Sequence, residues 1–262
     1  MPRRRLDVEL VRRGLASSRT EAQAAVEAGL VTVAGSPATK AASLVAADAA
    51  VDMAGTARRY VSRGGDKLRA ALDRFEVDVA GADCLDVGAS TGGFTDCLLQ
   101  AGAARVAAVD VGYGQLAWQL RNDERVTVLE RTNVRDLRPA DLPFVPAMIC
   151  VDLSFISLRT ALPAIAAVSA PDSSFVLLVK PQFEAGHRDV GRGGVVRDRV
   201  VWQRVLGEVA TACRAQGIGV LGAVASPLRG PAGNVEFLLY GRRGAGGGDV
   251  DLDAAVSEVA DR

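Results

Sequence analysis

The sequence predicts an α/β protein, a parallel sheet with helices on both faces, preceded by a small α+β module. Three observations carry this. From Cys84 onward, short apolar runs alternate with stretches of helical periodicity, the pattern of parallel strands joined by crossover helices. The first run, Cys84-Leu85-Asp86-Val87-Gly88, stops in a loop of small residues, and a helical pattern of Phe94, Cys97, Leu98 and Ala101 follows. That succession of buried strand, tight turn and helix start is how α/β proteins bring a nucleotide against bare backbone. Ahead of it, residues 3–55 hold two helical patterns and several short strand patterns, enough for a compact unit of their own.

In that unit Leu6, Leu10 and Val11 mark one helical face ending at Gly14. Ser17-Ser18-Arg19-Thr20-Glu21 caps a second helix, with Ala22, Ala25 and Val26 facing inward and Gly29 ending it. Leu30–Gly35 reads as a strand and turn, and Leu44-Val45 and Ala49–Met53 as further strands. Residues 56–63 form a linker. In the second domain, 64–243, Leu68, Leu72 and Phe75 share a helical face. Strands are expected at 84–88, 105–110, 126–130, 146–152, 174–180, 217–225 and 234–240, and helices near 93–102, 114–121, 157–168 and 199–215. The short connection Ser226–Gly233 makes the seventh strand antiparallel to the sixth. Residues 244–262 read as a flexible tail.

Composition narrows the class. The chain has 262 residues, 49% of them hydrophobic, which suffices for a sizeable core in one or two domains. No apolar run approaches the ~18 residues of a membrane span, and no apolar signal core follows the basic start Met1–Arg5. A cytoplasmic protein is expected, with no membrane role. Cys84, Cys97, Cys150 and Cys213 form no Cys-x-x-Cys pair and read as buried apolar residues. A single histidine, His187, argues against a zinc site, and no metal is expected. Overall charge is balanced, yet residues 1–69 carry +5 and residues 70–262 carry −5. A basic front suggests a polyanionic partner.

The glycine loop discriminates among nucleotides. A dinucleotide fingerprint would be Gly-x-Gly-x-x-Gly. Here the pattern is Asp86-x-Gly88-x-x-x-Gly92-Gly93. A carboxylate at Asp86 would repel a pyrophosphate but can engage the cationic amino-acid end of S-adenosylmethionine. Asp110 ends the second strand, where a carboxylate can hold ribose hydroxyls. Asp152, at the end of the fourth strand, and Lys180, at the end of the fifth, belong in the ligand crevice, and Glu236 lies in the seventh strand.

Two resemblances sharpen this. Arg5-Leu6-Asp7, Leu10, Gly14, Ser18-Arg19-Thr20-Glu21-Ala22 and Gly29–Gly35 resemble the S-4-like RNA-binding domain. That resemblance implies phosphate contacts from Arg3, Arg4, Arg12, Arg13, Arg19 and Lys40. Ser62–Leu68, Gly88–Phe94, Asp110–Leu116, Glu130–Asn133, Asp152–Ile156, Lys180–Glu184 and Gly233–Glu236 resemble the TlyA family, relatives of the FtsJ-type RNA ribose methyltransferases. The resemblance implies a Rossmann-like class I methyltransferase fold, with a seven-stranded sheet whose last strand is antiparallel. It implies S-adenosylmethionine as methyl donor, and ribosomal RNA or ribosomal subunits as partner, methylated on the 2′-hydroxyl of cytidines in 16S or 23S RNA. No protein partner is expected. The family's Lys-Asp-Lys-Glu tetrad falls on Lys67, Asp152, Lys180 and Glu236. Lys180 is expected as base and Asp152 as its orienting partner, with Lys67 and Glu236 placing the hydroxyl and the lysine head. Gly88, Ser90, Gly92, Gly93, Phe94, Asp110 and Asn133 are the implied cofactor contacts, with Asp136 a substitute for Asn133.

Two other readings are open at this stage. Asp152-Leu153-Ser154-Phe155 occupies the place where base N-methyltransferases carry Asp/Asn-Pro-Pro-Tyr/Phe, but both prolines are missing. Relatives labelled haemolysins suggest a lytic protein, for which the sequence offers no spanning segment. Gln182–Val196 reads as a mobile loop at the site mouth, where Arg188, Arg192 and Arg197 could touch RNA. Trp118 and Trp202 read as packing residues.

Overall fold

The computed structural model describes residues 3–13, 15–16, 18–46, 49, 51–54, 59–186, 188–191, 193–248 and 250–259. Gly14, Ser17, Gly55, His187, Arg192 and residues 56–58 of the expected linker lie outside that set. The chain divides into two compact units, Met1–Arg59 and Tyr60–Arg262.

In the first unit β1 (Arg3–Arg5) leads into α1 (Leu6–Arg12). Then come α2 (Arg19–Glu27), β2 (Val31–Val33), β3 (Ser36–Pro37), β4 (Leu44–Ala46) and β5 (Val51–Met53). Ser18 caps α2, its side chain accepting the Glu21 N–H, as a serine three residues before an acid is suited to do. Leu6, Leu10, Ala22, Val26 and Val31 make the core. β1 pairs antiparallel with β4, and β2 lies between β3 and β5. β1 and β3 carry no strand signal. Three consecutive arginines show no apolar alternation, and two residues are too few for any period.

The second unit opens with α3 (Arg63–Arg74). It continues with β6 (Asp83–Val87), α4 (Gly93–Gln100), β7 (Arg105–Val109), α5 (Trp118–Arg121), β8 (Val126–Leu129), β9 (Met148–Val151) and α6 (Leu158–Val168). After these come β10 (Ser174–Val179), α7 (Pro181–Glu184), α8 (Arg199–Ala215), β11 (Ile218–Ala225), β12 (Phe237–Arg243) and α9 (Leu252–Ser257). The seven strands are ordered β11-β12-β10-β9-β6-β7-β8. Only β12 runs against its neighbours β10 and β11. One face packs Leu162, Ile165, Val205, Leu206 and Val209 from α6 and α8. The other packs Leu68, Leu72 and Leu98 from α3 and α4. Successive residues of β6 therefore alternate, Leu85 and Val87 joining the first core and Cys84 the second.

Four expectations need correction. The seventh strand begins at Phe237 rather than at residue 234, because the backbone before it closes a turn. Gly230 N–H donates to the Asn234 carbonyl at 2.9 Å. Glu236 thus precedes the strand. The tail is not all free, since α9 buries Ala255 and Val256 in the α8 face of the core. Trp118 is 79% exposed, because α5 is a single short turn whose buried residue is Leu120. The loop after Lys180 begins as α7, and its Glu184 is buried and caps α6. That carboxylate accepts Ser157 Oγ–H at 2.5 Å and Leu158 N–H at 2.6 Å.

Substituting Val256→Asp places a charge where a buried valine contributes roughly 1.5–3 kcal/mol. A clear drop in thermal midpoint is expected by calorimetry. An unchanged midpoint would mean that α9 does not pack.

Candidate active site

Strand order reverses between β6 and β9, and crevices form at the carboxyl ends of such strands. Two adjoining cavities lie there. The larger, about 460 Å³, is lined by Gly88, Ser90, Asp110, Thr132, Asn133, Asp152 and Phe155, among others. The smaller, about 280 Å³, is lined by Ser62, Lys67, Ser90, Gly93, Phe94, Asp152, Lys180 and Glu236, among others. The larger falls in the ~300–1,000 Å³ range of small-molecule sites.

The glycine loop makes these walls possible. At Gly88 a Cβ would collide with the Asp152 carbonyl, and φ is +88°, so only glycine lets β6 and β9 end side by side. A Cβ at Gly93 would strike Ser62 Oγ and lie 2.9 Å from Gly65 N; its absence brings the start of α4 against the start of α3. Gly92 is not on either wall, and its bare Cα makes room for Leu116 and Leu120. Ser90 takes φ +48°, and its N–H donates to Asp110 Oδ2 at 2.7 Å. Gly112 N–H donates to Asp110 Oδ1 at 2.6 Å. One carboxylate thus shapes the loop and faces the larger cavity. Asn133 caps the turn after it by accepting the Arg135 N–H at 3.1 Å, whereas Asp136 lines neither cavity.

Asp86 departs from its expected role. It is fully buried and on neither cavity wall, because strand alternation turns it toward the α4 layer. Its Oδ2 accepts Thr95 N–H at 2.9 Å and Thr95 Oγ–H at 2.6 Å, while Oδ1 has no partner. Burial pushes this carboxyl up to about 7 against the pull of the Thr95 hydrogen bonds.

The four polar candidates meet in the smaller cavity as two ion pairs. Lys67, one turn into α3, places Nζ 2.5 Å from Glu236 Oε2, and both side chains are buried. Lys180, ending β10, places Nζ 2.5 Å from Asp152 Oδ1 and donates to Ser154 Oγ at 2.9 Å. Gly230 backs Glu236, since a Cβ there would approach Oε1 to 2.6 Å. Asn234 pins the glycine-rich loop, accepting Val196 N–H at 3.0 Å and donating to the Gly194 carbonyl at 2.9 Å. At the rim Phe155 is 92% exposed with φ +65°, its ring 5.2 Å from that of Phe183. Ser154, Gly230, Asn234 and Phe183 went unassigned in the sequence, where only their nearness to Asp152, Lys180 and Glu236 could have marked them. Among the described residues, no group of three His, Cys, Asp or Glu could hold a metal ion.

Residues 60–243 match the FtsJ-like methyltransferase family, and residues 4–51 match the S4 domain. The chain belongs to the FtsJ-like methyltransferases. Among relatives of this FtsJ-like chain, the 16S/23S rRNA (cytidine-2'-O)-methyltransferase TlyA of Mycobacterium tuberculosis is 52% identical, the match covering 91% of this chain and 89% of that protein. Hemolysin A of Brachyspira hyodysenteriae is 38% identical over 90% of this chain and 98% of that one. A solved structure from Streptococcus thermophilus, also labelled a hemolysin, superposes with a TM-score of 0.85 at 39% identity, covering 100% of this chain and 97% of the other.

Two outcomes follow from the site's electrostatics. Native Asp86 keeps a proton to about pH 7 that the unfolded chain releases near 3.8, so its contribution to stability falls as pH rises through that window. Urea unfolding at several pH values should show wild type losing stability relative to Asp86→Asn across it, and a constant difference would refute the assignment. Lys67→Ala leaves Glu236 buried without its cation, at a cost of about 3–5 kcal/mol. Calorimetry should show a larger loss than for Lys180→Ala, because Asp152 is less buried than Glu236.

Proposed function

We propose that this enzyme transfers a methyl group from S-adenosylmethionine to the 2′-hydroxyl of a ribose in ribosomal RNA, with cytidines of 16S or 23S RNA as targets. The observation that carries the reading is the pairing of two lysines with two carboxylates in a cavity that shares Gly88, Ser90 and Asp152 with the larger one. The name of the M. tuberculosis relative, and the S4 match of residues 4–51, support RNA as the substrate.

The larger cavity suits the cofactor on its own features. Its wall is bare backbone at Gly88, and Asp110 keeps oxygen lone pairs for ribose hydroxyls beyond the two N–H groups it accepts. Ser90 and Asp152 border both cavities, so they stand between donor and acceptor. S-adenosylmethionine supplies a methyl group already activated on a cationic sulfur.

What the chain must add is alignment and an acceptor for one proton. A ribose hydroxyl is a poor nucleophile, and its proton has to leave as the methyl arrives. Lys180 Nζ, held between Asp152 and Ser154, is the group placed to take it once its ammonium has given up a proton to solvent. Lys67 and Glu236, lining the same cavity, place the hydroxyl and the lysine head. The exposed Phe155 ring, tilted at 48° to that of Phe183, offers the nucleobase an apolar face at the rim. Cys150 is no nucleophile, since burial raises its thiol well above the ordinary range. No helix among the described residues is long and apolar enough to cross a membrane.

The test is methyl transfer from labelled S-adenosylmethionine to ribosomal RNA, followed by alkaline digestion. A 2′-O-methyl group blocks cleavage at its own nucleotide, so the label should appear in alkali-resistant dinucleotides beginning with cytidine. Label in mononucleotides would indicate base methylation and overturn the reading. Lys180→Ala should abolish transfer while cofactor binding, followed by calorimetric titration, survives.

A further inference from the structure

The first unit contains an arrangement that its basic charge alone does not reveal. Two carboxylates, Asp7 and Glu9, are buried with no exposed surface, yet their partners are guanidinium groups that reach the surface. Asp7 is engaged on both oxygens. Arg5 forks onto it, Nε to Oδ1 at 3.0 Å and Nη2 to Oδ2 at 2.9 Å. Arg19 Nη2 and Gln23 Nε2 donate to Oδ2 at 2.9 and 3.0 Å, and Val8 N–H donates to Oδ1 at 2.9 Å. Glu9 is held the same way. Arg12 forks onto it at 2.8 and 2.5 Å, Arg13 Nε donates at 2.8 Å, and Arg4 Nη1 lies 3.8 Å from Oε2.

Five arginines, two from β1, one each from α1 and α2, and Arg13 just after α1, thus converge on two buried anions. The side chains of Arg4, Arg5, Arg12 and Arg19 remain 43–56% exposed. A surface arginine ordinarily loses considerable rotamer freedom when it grips a phosphate. Here the carboxylates have already restricted that freedom, and the guanidiniums of Arg4, Arg5, Arg12 and Arg19 keep N–H donors beyond those they spend inward. The arginine hydrogen bonds hold both carboxyls far down their range, Glu9 to about 2, so the arrangement persists at any physiological pH.

We propose that Asp7 and Glu9 are positioning residues that pre-organise the arginines of this unit into a fixed array for RNA phosphates. The inference rests on the reading that this unit binds ribosomal RNA. It predicts an effect opposite in sign to simple electrostatics. Neutralising either carboxylate makes the protein more positive, which by charge alone should tighten RNA binding. If the carboxylates position the arginines, binding weakens instead.

The experiment measures binding of the full chain to in-vitro-transcribed 16S and 23S RNA for wild type, Glu9→Gln, Asp7→Asn and Glu9→Asp, between about 50 and 200 mM salt. Each variant is also followed by thermal melting. The expected result is affinity weakened by about tenfold in Glu9→Gln, with the salt slope retained because the same cations are present. In turnover, KM for RNA should rise while kcat and KM for S-adenosylmethionine stay unchanged. Glu9→Asp keeps the charge and shortens the arm, so it too should weaken binding. It also covers the case in which a neutralised variant fails to fold. Equal or tighter binding by folded Glu9→Gln or Glu9→Asp would overturn the inference. If wild type binds neither RNA, the underlying reading fails instead.

Discussion

The buried ion pair between Lys67 and Glu236 is the contact on which the site's geometry depends. It joins α3, which precedes the sheet in the chain, to the residue just ahead of β12, its last strand. Neither charge is tolerable there alone, because desolvating one ion costs several kcal/mol unless an opposite charge and hydrogen bonds replace the water. The pair therefore ties the position of α3 to the path of the chain into β12. The close packing of α3 on α4 at Gly93 and the backing of Glu236 by Gly230 serve the same constraint. Lys180 and Asp152 then need only short reach, since both sit where adjacent parallel strands end.

The same physics operates in the first unit, where buried carboxylates are made tolerable by arginines. The two sites differ in what is left over. In the second unit each lysine meets a carboxylate, which leaves a set of groups balanced in charge. In the first, five guanidiniums share two carboxylates, which leaves a net positive array suited to polyanion binding. Asp86 is a third case, a buried carboxyl with no cation beside it. There the protein meets the cost by raising the carboxyl's affinity for its proton.

Much of the fold was legible because its signals are local. Apolar runs of strand length between helical patterns mark the sheet from β6 to β11, and all six of those strands stand within two residues of their expected ends. The boundaries that shifted are those governed by contacts remote in sequence. Val235, Phe237 and Leu239 alternate as a strand should, but hydrogen bonds to the preceding turn delay β12 until Phe237. The arginine strand β1 exists because β4 pairs with it, which no pattern in Arg3–Arg5 announces. Trp118 reads as a packing residue in the sequence, yet the turn it occupies buries Leu120 instead.

By itself, the sequence determined most of the element types and the glycine loop and marked Asp152 and Lys180 at strand ends, because periodicity, turn chemistry and strand-end position are written in neighbouring residues, whereas Lys67 and Glu236 were grouped with them by the family resemblance. Only the tertiary structure decided how those residues are partnered. That Lys67 meets Glu236 across most of the chain, that Asp86 lies behind the cavity walls rather than on them, and that Asp7 and Glu9 gather arginines from remote parts of the unit all depend on distances that the chain sets only once folded. The physical reason is that burial makes partnership compulsory for charge, and burial is a property of the packed molecule.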